Sequence, residues 1–355
     1  MKAVHGGDIY GNPGITMDFS VNINPLGMPD FVKKAVLESL EDCSRYPDVR
    51  CGKAAEAAAS LYGISEDTLI FGNGAAELIH LAVRASGARR AVITAPSFLE
   101  YEAALSGNGV HTDFFLLRPE NGFSLDPEAF TEFLREKRPD MIFLCNPANP
   151  TGVLTGKTAM NRILEYCRKE GILAVVDECF LEFLEEPGTY SVLDLVKSGA
   201  ENLLVLQAAT KTFAVPGLRT GYGFLACRKL KERMETLRQP WSVSVPAQAA
   251  VKASFGKERE EFLMRTREYL KRERPVLASG LSQRGFRVFE SAANYLLFRD
   301  RTGRKPGELY TRCLEHGVLI RSCANYRGLD GRYYRICVSG HEENQRFLGM
   351  MDCLL

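Results

Sequence analysis

Six short apolar runs punctuate the first two thirds of the chain: TLIFG (68–72), AVITAP (91–96), MIFLCNP (141–147), GILAVVD (171–177), NLLVLQ (202–207) and GYGFLA (221–226). They are short and apolar at successive positions, so both faces of each must be covered. Strands of a mainly parallel sheet sandwiched by helices meet that demand. Helix-periodic stretches lie between them at 75–86, 126–137 and 156–170. In the second, Asp126 is placed to cap the helix and Pro127 opens its first turn. After Pro240 the pattern changes. Helices are expected over 246–255 and 258–284, the latter long and highly charged, and then FRVFE, NYLLF, GVLIR and YYRICV read as a second set of strands before a last helix over 342–354. The expectation is an α/β fold with a smaller α+β domain toward the C-terminal end, which suits 355 residues, about twice a usual domain.

Lys and Arg total 45 against 44 Asp and Glu, a net charge of +1, so neither a nucleic-acid footprint nor an acidic tail is present. The ten cysteines form no C-x-x-C pair and no Cys/His cluster at zinc-finger spacing, which predicts reduced thiols and no metal centre. The opening residues lack the apolar core of a signal peptide, and no uncharged apolar run reaches the roughly 18 residues of a membrane helix. A cytoplasmic protein without a membrane partner is expected.

The stretch QAATKTFAVPGLRTGYGF (207–224) sets Lys211 just after a buried strand, followed by Pro-Gly, Arg219 and a glycine-rich strand start. A lysine desolvated on one side has a lowered pKa and an amine able to form a Schiff base. Alone, such a lysine is usually a solvated loop residue. Two further stretches change the odds: CNPANPTG (145–152), with Asn149, follows one strand, and VVDECFLEF (175–183) has Asp177 at the end of another. Ligands of open α/β sheets bind at the carboxyl ends of strands, so Asn149, Asp177 and Lys211 can face one crevice. FGNGAAELI (71–79) adds a strand end, Gly-Asn-Gly and a helix start, whose amides near Gly74, Ala75 and Ala76 can point at an anion.

The TK…PGLR, NPANPTG and VVDE motifs, in this order and along the whole chain, resemble the fold type I pyridoxal phosphate (PLP) enzymes of the aspartate aminotransferase superfamily. HGGDIYG (5–11), DFSVNINPLGMP (18–29), RQPWSV (238–243) and VLIRSCANYRGLDGRYYRICVSGHEEN (318–344) are most similar to its threonine-phosphate decarboxylases, close relatives of histidinol-phosphate aminotransferases. The resemblance implies a large PLP-binding domain at 43–240 and a small domain built from 1–42 and 241–355. It implies that Lys211 holds the cofactor and moves a proton at the substrate Cα, and that Asp177 pairs with the pyridine nitrogen. Asn149 would bond the ring hydroxyl and Phe98 would stack on the ring. Thr210, Arg219 and the amides of Gly74, Ala75 and Ala76 would cradle the phosphate, with Tyr46 reaching it from the partner subunit of a homodimer.

For the substrate, the resemblance implies that Arg335 binds the carboxylate as a bidentate pair and that Arg321 binds a second anion. His5, Asn24 and Tyr326 follow as further contacts to its phosphate and carboxylate. Two departures stand out. Ala208 replaces a Ser or Thr of many relatives, which removes one hydrogen bond to the cofactor phosphate, worth about 1 kcal/mol. Phe180 replaces a tyrosine of many aminotransferases and matches the decarboxylase pattern.

The reaction implied is decarboxylation of L-threonine O-3-phosphate to (R)-1-amino-2-propanol O-2-phosphate and CO₂, in cobamide synthesis. An aminotransferase of the histidinol-phosphate type is the alternative. A non-catalytic PLP-binding regulatory module is the remote one, opposed by the lack of a basic helix-turn-helix segment.

Overall fold

In the computed structural model, which describes residues 5–354, the six apolar runs form strands of one seven-stranded sheet. Its order is Leu69–Asn73, Thr220–Leu225, Leu203–Gln207, Leu173–Asp177, Met141–Cys145, Arg90–Ala95 and His111–Leu116. The five strands from Leu203–Gln207 to His111–Leu116 pair in parallel. Thr220–Leu225 runs antiparallel to both its neighbours. The seventh strand, His111–Leu116, carries no continuous apolar run because it lies at the sheet edge, half-covered along most of its length.

Burial on both faces follows residue by residue. Ile142, Leu144, Ala174, Val176 and Val205 pack into one apolar cluster, and their alternates Met141, Phe143, Val175, Leu204 and Leu206 pack into another. The expected cap of the helix Pro127–Lys137 is present: the Asp126 carboxylate accepts from the amides of Glu128 and Ala129 at 2.9 and 3.0 Å. Among the described residues no helix is long and apolar enough to cross a membrane.

The second set of strands forms a four-stranded antiparallel sheet ordered Arg321–Ser322, Tyr333–Cys337, Tyr295–Arg299 and Arg287–Val288. The GVLIR segment is not one strand. Val318–Leu319 pairs in parallel with Met17–Asp18, and the chain then changes sheets at Ile320, so Arg321 lies opposite Arg335. Helices from both ends of the chain pack on the central sheet. Helices Asp30–Glu38 and Val245–Ala253 bury Val32, Ala247, Ala250 and Val251 in the cluster beneath the central sheet. The long helix Arg259–Gln283 gives Phe262 and Leu263 to that cluster, and Leu270, Leu277 and Leu281 to the core of the smaller sheet. From this packing we propose that the two units meet within this helix.

Leu206, fully buried on the strand that leads to Lys211, tests how tightly the sheet is packed. Leu206→Ala is expected to lower stability by about 2–5 kcal/mol in urea unfolding; a loss under about 1 kcal/mol would show a loosely packed strand.

Candidate active site

The carboxyl ends of the parallel strands and one edge of the smaller sheet enclose a cavity of about 470 Å³. Its wall includes Gly74, Ala75, Ala76, Phe98, Asn149, Asp177, Thr210, Lys211, Arg219, Arg321, Tyr326 and Arg335, together with His5 from the N-terminal segment. Residues separated by 330 positions thus share one pocket, because the central sheet presents most of this wall and the smaller sheet presents Arg321 and Arg335.

Lys211 follows the strand Leu203–Gln207 on a short helix, Ala209–Thr212. Burial, and then the charges of Arg335 and Arg219, push its amine down to about 8. No carboxylate pairs with it among the described residues. Asp177 ends the neighbouring strand and is oriented from both sides: Tyr101 Oη donates to its Oδ2 at 2.6 Å and the Cys179 amide donates to Oδ1 at 2.9 Å. Burial, reinforced by the Asp177 charge, holds the Tyr101 phenol well above its usual range, so it stays a donor. The sequence offers little sign of Tyr101, which stands one helical turn after Phe98 in an alanine-rich segment.

Arg219 takes a left-handed backbone conformation at φ 58°, and its carbonyl accepts from the Gly74 amide at 3.1 Å. Its guanidinium lies over Gly74, where an added β-carbon would fall 2.4 Å from Nη2. A β-carbon on Gly221 would meet the Ala75 nitrogen at 2.2 Å. Both glycines are therefore required by contact: they let a cation and a strand press against the first turn of the helix Gly74–Ser86, which aims amides and the helix dipole at the cavity.

Arg335 lies on the smaller sheet's strand Tyr333–Cys337 and reaches across the cavity. It donates to the Asn149 carboxamide oxygen and, at 2.8 Å, to the Ser20 carbonyl, while its buried Nε has no partner among the described residues. Arg321 donates to Asn325 at 2.9 Å and to the Ser322 carbonyl, and sits 5.0 Å from the centre of the Tyr326 ring. Phe180 and Ala208 also line the cavity, and Phe180 packs edge-on against Tyr295 at 5.0 Å.

Two of the expected residues are not in this pocket. Asn24 is buried behind it, and its carboxamide donates to the Thr212 carbonyl at 2.7 Å and to Thr266 Oγ1 at 2.9 Å while accepting from the Leu26 amide. The residue of the NIN pair that lines the cavity is Asn22, 3% exposed, whose carboxamide oxygen has no partner among the described residues. The sequence held the clue: an asparagine before Pro-Leu-Gly forms an Asx turn with the amide two residues on, which occupies its side chain. Asn24 instead positions the lysine turn, since its own amide donates to the Lys211 carbonyl at 3.0 Å. Tyr46 is 79% exposed and stacks on Trp241, with ring centroids 4.4 Å apart, outside the cavity.

The family described as "Aminotransferase class I and II" matches residues 14–348. The chain belongs to that family. It is 37% identical over 341 residues to a putative threonine-phosphate decarboxylase of Caldanaerobacter subterraneus subsp. tengcongensis, covering 96% of this chain and 90% of that one. It is 34% identical to the threonine-phosphate decarboxylase of Salmonella typhimurium, covering 100% and 97%. Among solved structures, the histidinol-phosphate aminotransferase of Clostridium acetobutylicum superposes with a TM-score of 0.87 at 28% identity, covering 95% and 98%.

The lowered Lys211 value gives a direct test. Only the neutral amine attacks a carbonyl, and at pH 7.5 roughly a quarter of a lysine with a pKa near 8 is neutral, against about 0.1% of an ordinary one. Labelling of the apoprotein by a small aldehyde and borohydride is expected to modify Lys211 first, with a half-maximal rate near pH 8. Uniform labelling of surface lysines, rising only above pH 10, would contradict that environment.

Proposed function

We propose that this protein is a PLP-dependent threonine-phosphate decarboxylase acting as a homodimer. The observation that carries the reading is a single cavity that combines a half-buried lysine of lowered pKa, an oriented carboxylate, a helix-start anion cradle and two buried arginines. Similarity to decarboxylases along the full chain supports that choice within the family.

The residues fit the cofactor. Lys211 lacks a carboxylate partner among the described residues and Arg219 is held over the helix start, so an aldehyde and a phosphate each meet suitable chemistry. Gly74, Ala75, Ala76, Thr210 and Arg219 would hold the phosphate, and Phe98 and Asn149 the ring. Bound PLP supplies a conjugated ring that takes up the electron pair of the bond broken at the substrate Cα.

Asp177 would keep a proton on the ring nitrogen, with Tyr101 and the Cys179 amide fixing its carboxylate for that contact. Arg335 would bind the substrate carboxylate, with Asn149 and the Ser20 carbonyl holding the guanidinium in place. Arg321, Tyr326 and Asn22 would complete the grip on the two anionic groups. Where these anchors set the carboxylate decides the reaction, because the bond that breaks at Cα is the one aligned with the ring system. Once CO₂ has left, Lys211 would return a proton to Cα.

Tyr46 and Trp241 form an exposed aromatic pair, and Leu37, Leu40 and Val49 of the same stretch of chain as Tyr46 are exposed too; apolar side chains of this kind suit a second copy of the chain, through which Tyr46 would reach the partner's cofactor phosphate. Ten unpaired cysteines suit a reducing cytoplasm.

Purified holoenzyme given L-threonine O-3-phosphate and no 2-oxo acid is expected to release CO₂. If it does not, and if glutamate alone bleaches the cofactor absorbance, the aminotransferase reading replaces this one. Lys211→Ala is expected to abolish both turnover and the absorbance of lysine-bound cofactor. Asp177→Asn is expected to retain cofactor and lose most of the rate, and a rate equal to wild type would remove Asp177 from the chemistry.

A further inference from the structure

The N-terminal segment lies along the pocket and is fixed by two unlike contacts. At one end Gly6 and Gly7 press on residues 20–21: a β-carbon on Gly6 would fall 2.3 Å from the Ser20 carbonyl oxygen, and the Gly7 amide donates to Ser20 Oγ at 2.7 Å. The same Ser20 carbonyl accepts from Arg335. At the other end the His5 ring reaches the helix Leu99–Gly107, where its Nε2 lies 2.7 Å from Glu100 Oε1. The second oxygen of Glu100 faces His80 Nε2 at 3.4 Å. His80 belongs to the helix Gly74–Ser86, whose first turn forms the anion cradle. His5 and Glu100 both line the cavity, and Glu100 keeps only 20% of its side chain exposed.

A carboxylate in the wall of a pocket for a phosphorylated substrate would repel it unless its charge were engaged elsewhere. Here both oxygens are covered by imidazoles. Hydrogen bonds from His5 and His80 hold the Glu100 carboxyl down at about 2, so its charge persists at neutral pH. A carboxylate on one imidazole nitrogen fixes the ring's orientation and leaves the other nitrogen for a ligand. We infer that Glu100 is a positioning residue that latches His5 over the pocket, with His80 steadying its second oxygen, and thereby sets the preference for a phosphorylated over an unphosphorylated amino acid. The inference rests on the phosphorylated-substrate reading above. It places the phosphate, the end of the substrate farthest from the amino group at Lys211, against the free face of His5.

The experiment compares two constants on each holoenzyme: KM for L-threonine O-3-phosphate and Ki for L-threonine as competitive inhibitor. Glu100→Gln keeps the shape and removes the charge; its KM is expected to rise about tenfold while Ki for L-threonine changes less than twofold. His80→Asn, at a side chain outside the cavity wall, is expected to shift the ratio in the same direction by about two- to threefold. An unchanged ratio in Glu100→Gln overturns the inference, and so do equal losses for both ligands, which mark a merely structural role. A wild-type enzyme that fails to turn over threonine phosphate overturns the reading beneath it, whereas a wild type that discriminates as well as Glu100→Gln overturns the latch alone.

Discussion

Lys211, Arg219 and Arg335, three of the cations that line the cavity, are held close together against their mutual repulsion. Each is anchored by a different device. Lys211 is carried on a turn whose carbonyl is hydrogen bonded to the Asn24 amide. Arg219 is fixed by a left-handed backbone and by two glycines that open space at a helix start. Arg335 is braced by Asn149 from the central sheet and by the Ser20 carbonyl from the N-terminal segment. The crowding has a chemical result, since burial and the two guanidinium charges together lower the lysine's pKa. A net charge of +1 for the whole chain gives no hint of this concentration.

The central sheet was readable because its strands are buried on both faces, which leaves continuous apolar runs such as LAVVD and LLVLQ. The same reasoning misses His111–Leu116, whose edge position removes the demand for apolar residues. It also joins 317–321 into one strand, because nothing in a run of apolar residues marks the point where the chain leaves one sheet for another.

The site divides along a similar line. Motifs fixed by local geometry, such as the lysine turn, the glycine-rich helix start and Asp177 at a strand end, could be found from neighbouring residues. Groups defined by contact between distant segments could not. Tyr101 meets Asp177 across 76 positions and His5 meets Glu100 across 95, and no spacing rule connects such pairs. Asn22 and Asn24 lie between these cases: two residues apart in an extended segment they look alike, and only the turn at Pro25 separates the one that faces the pocket from the one that braces it.

The helix Arg259–Gln283 contributes one half to each apolar core. Melting the smaller sheet strips Leu270, Leu277 and Leu281 of their neighbours, and melting the central sheet does the same to Phe262 and Leu263. Neither half is stable in water without its covering, because an isolated helix of this length gains little from its backbone alone. Loss of either core therefore exposes apolar residues of this one helix, which ties the two walls of the cavity to a shared support.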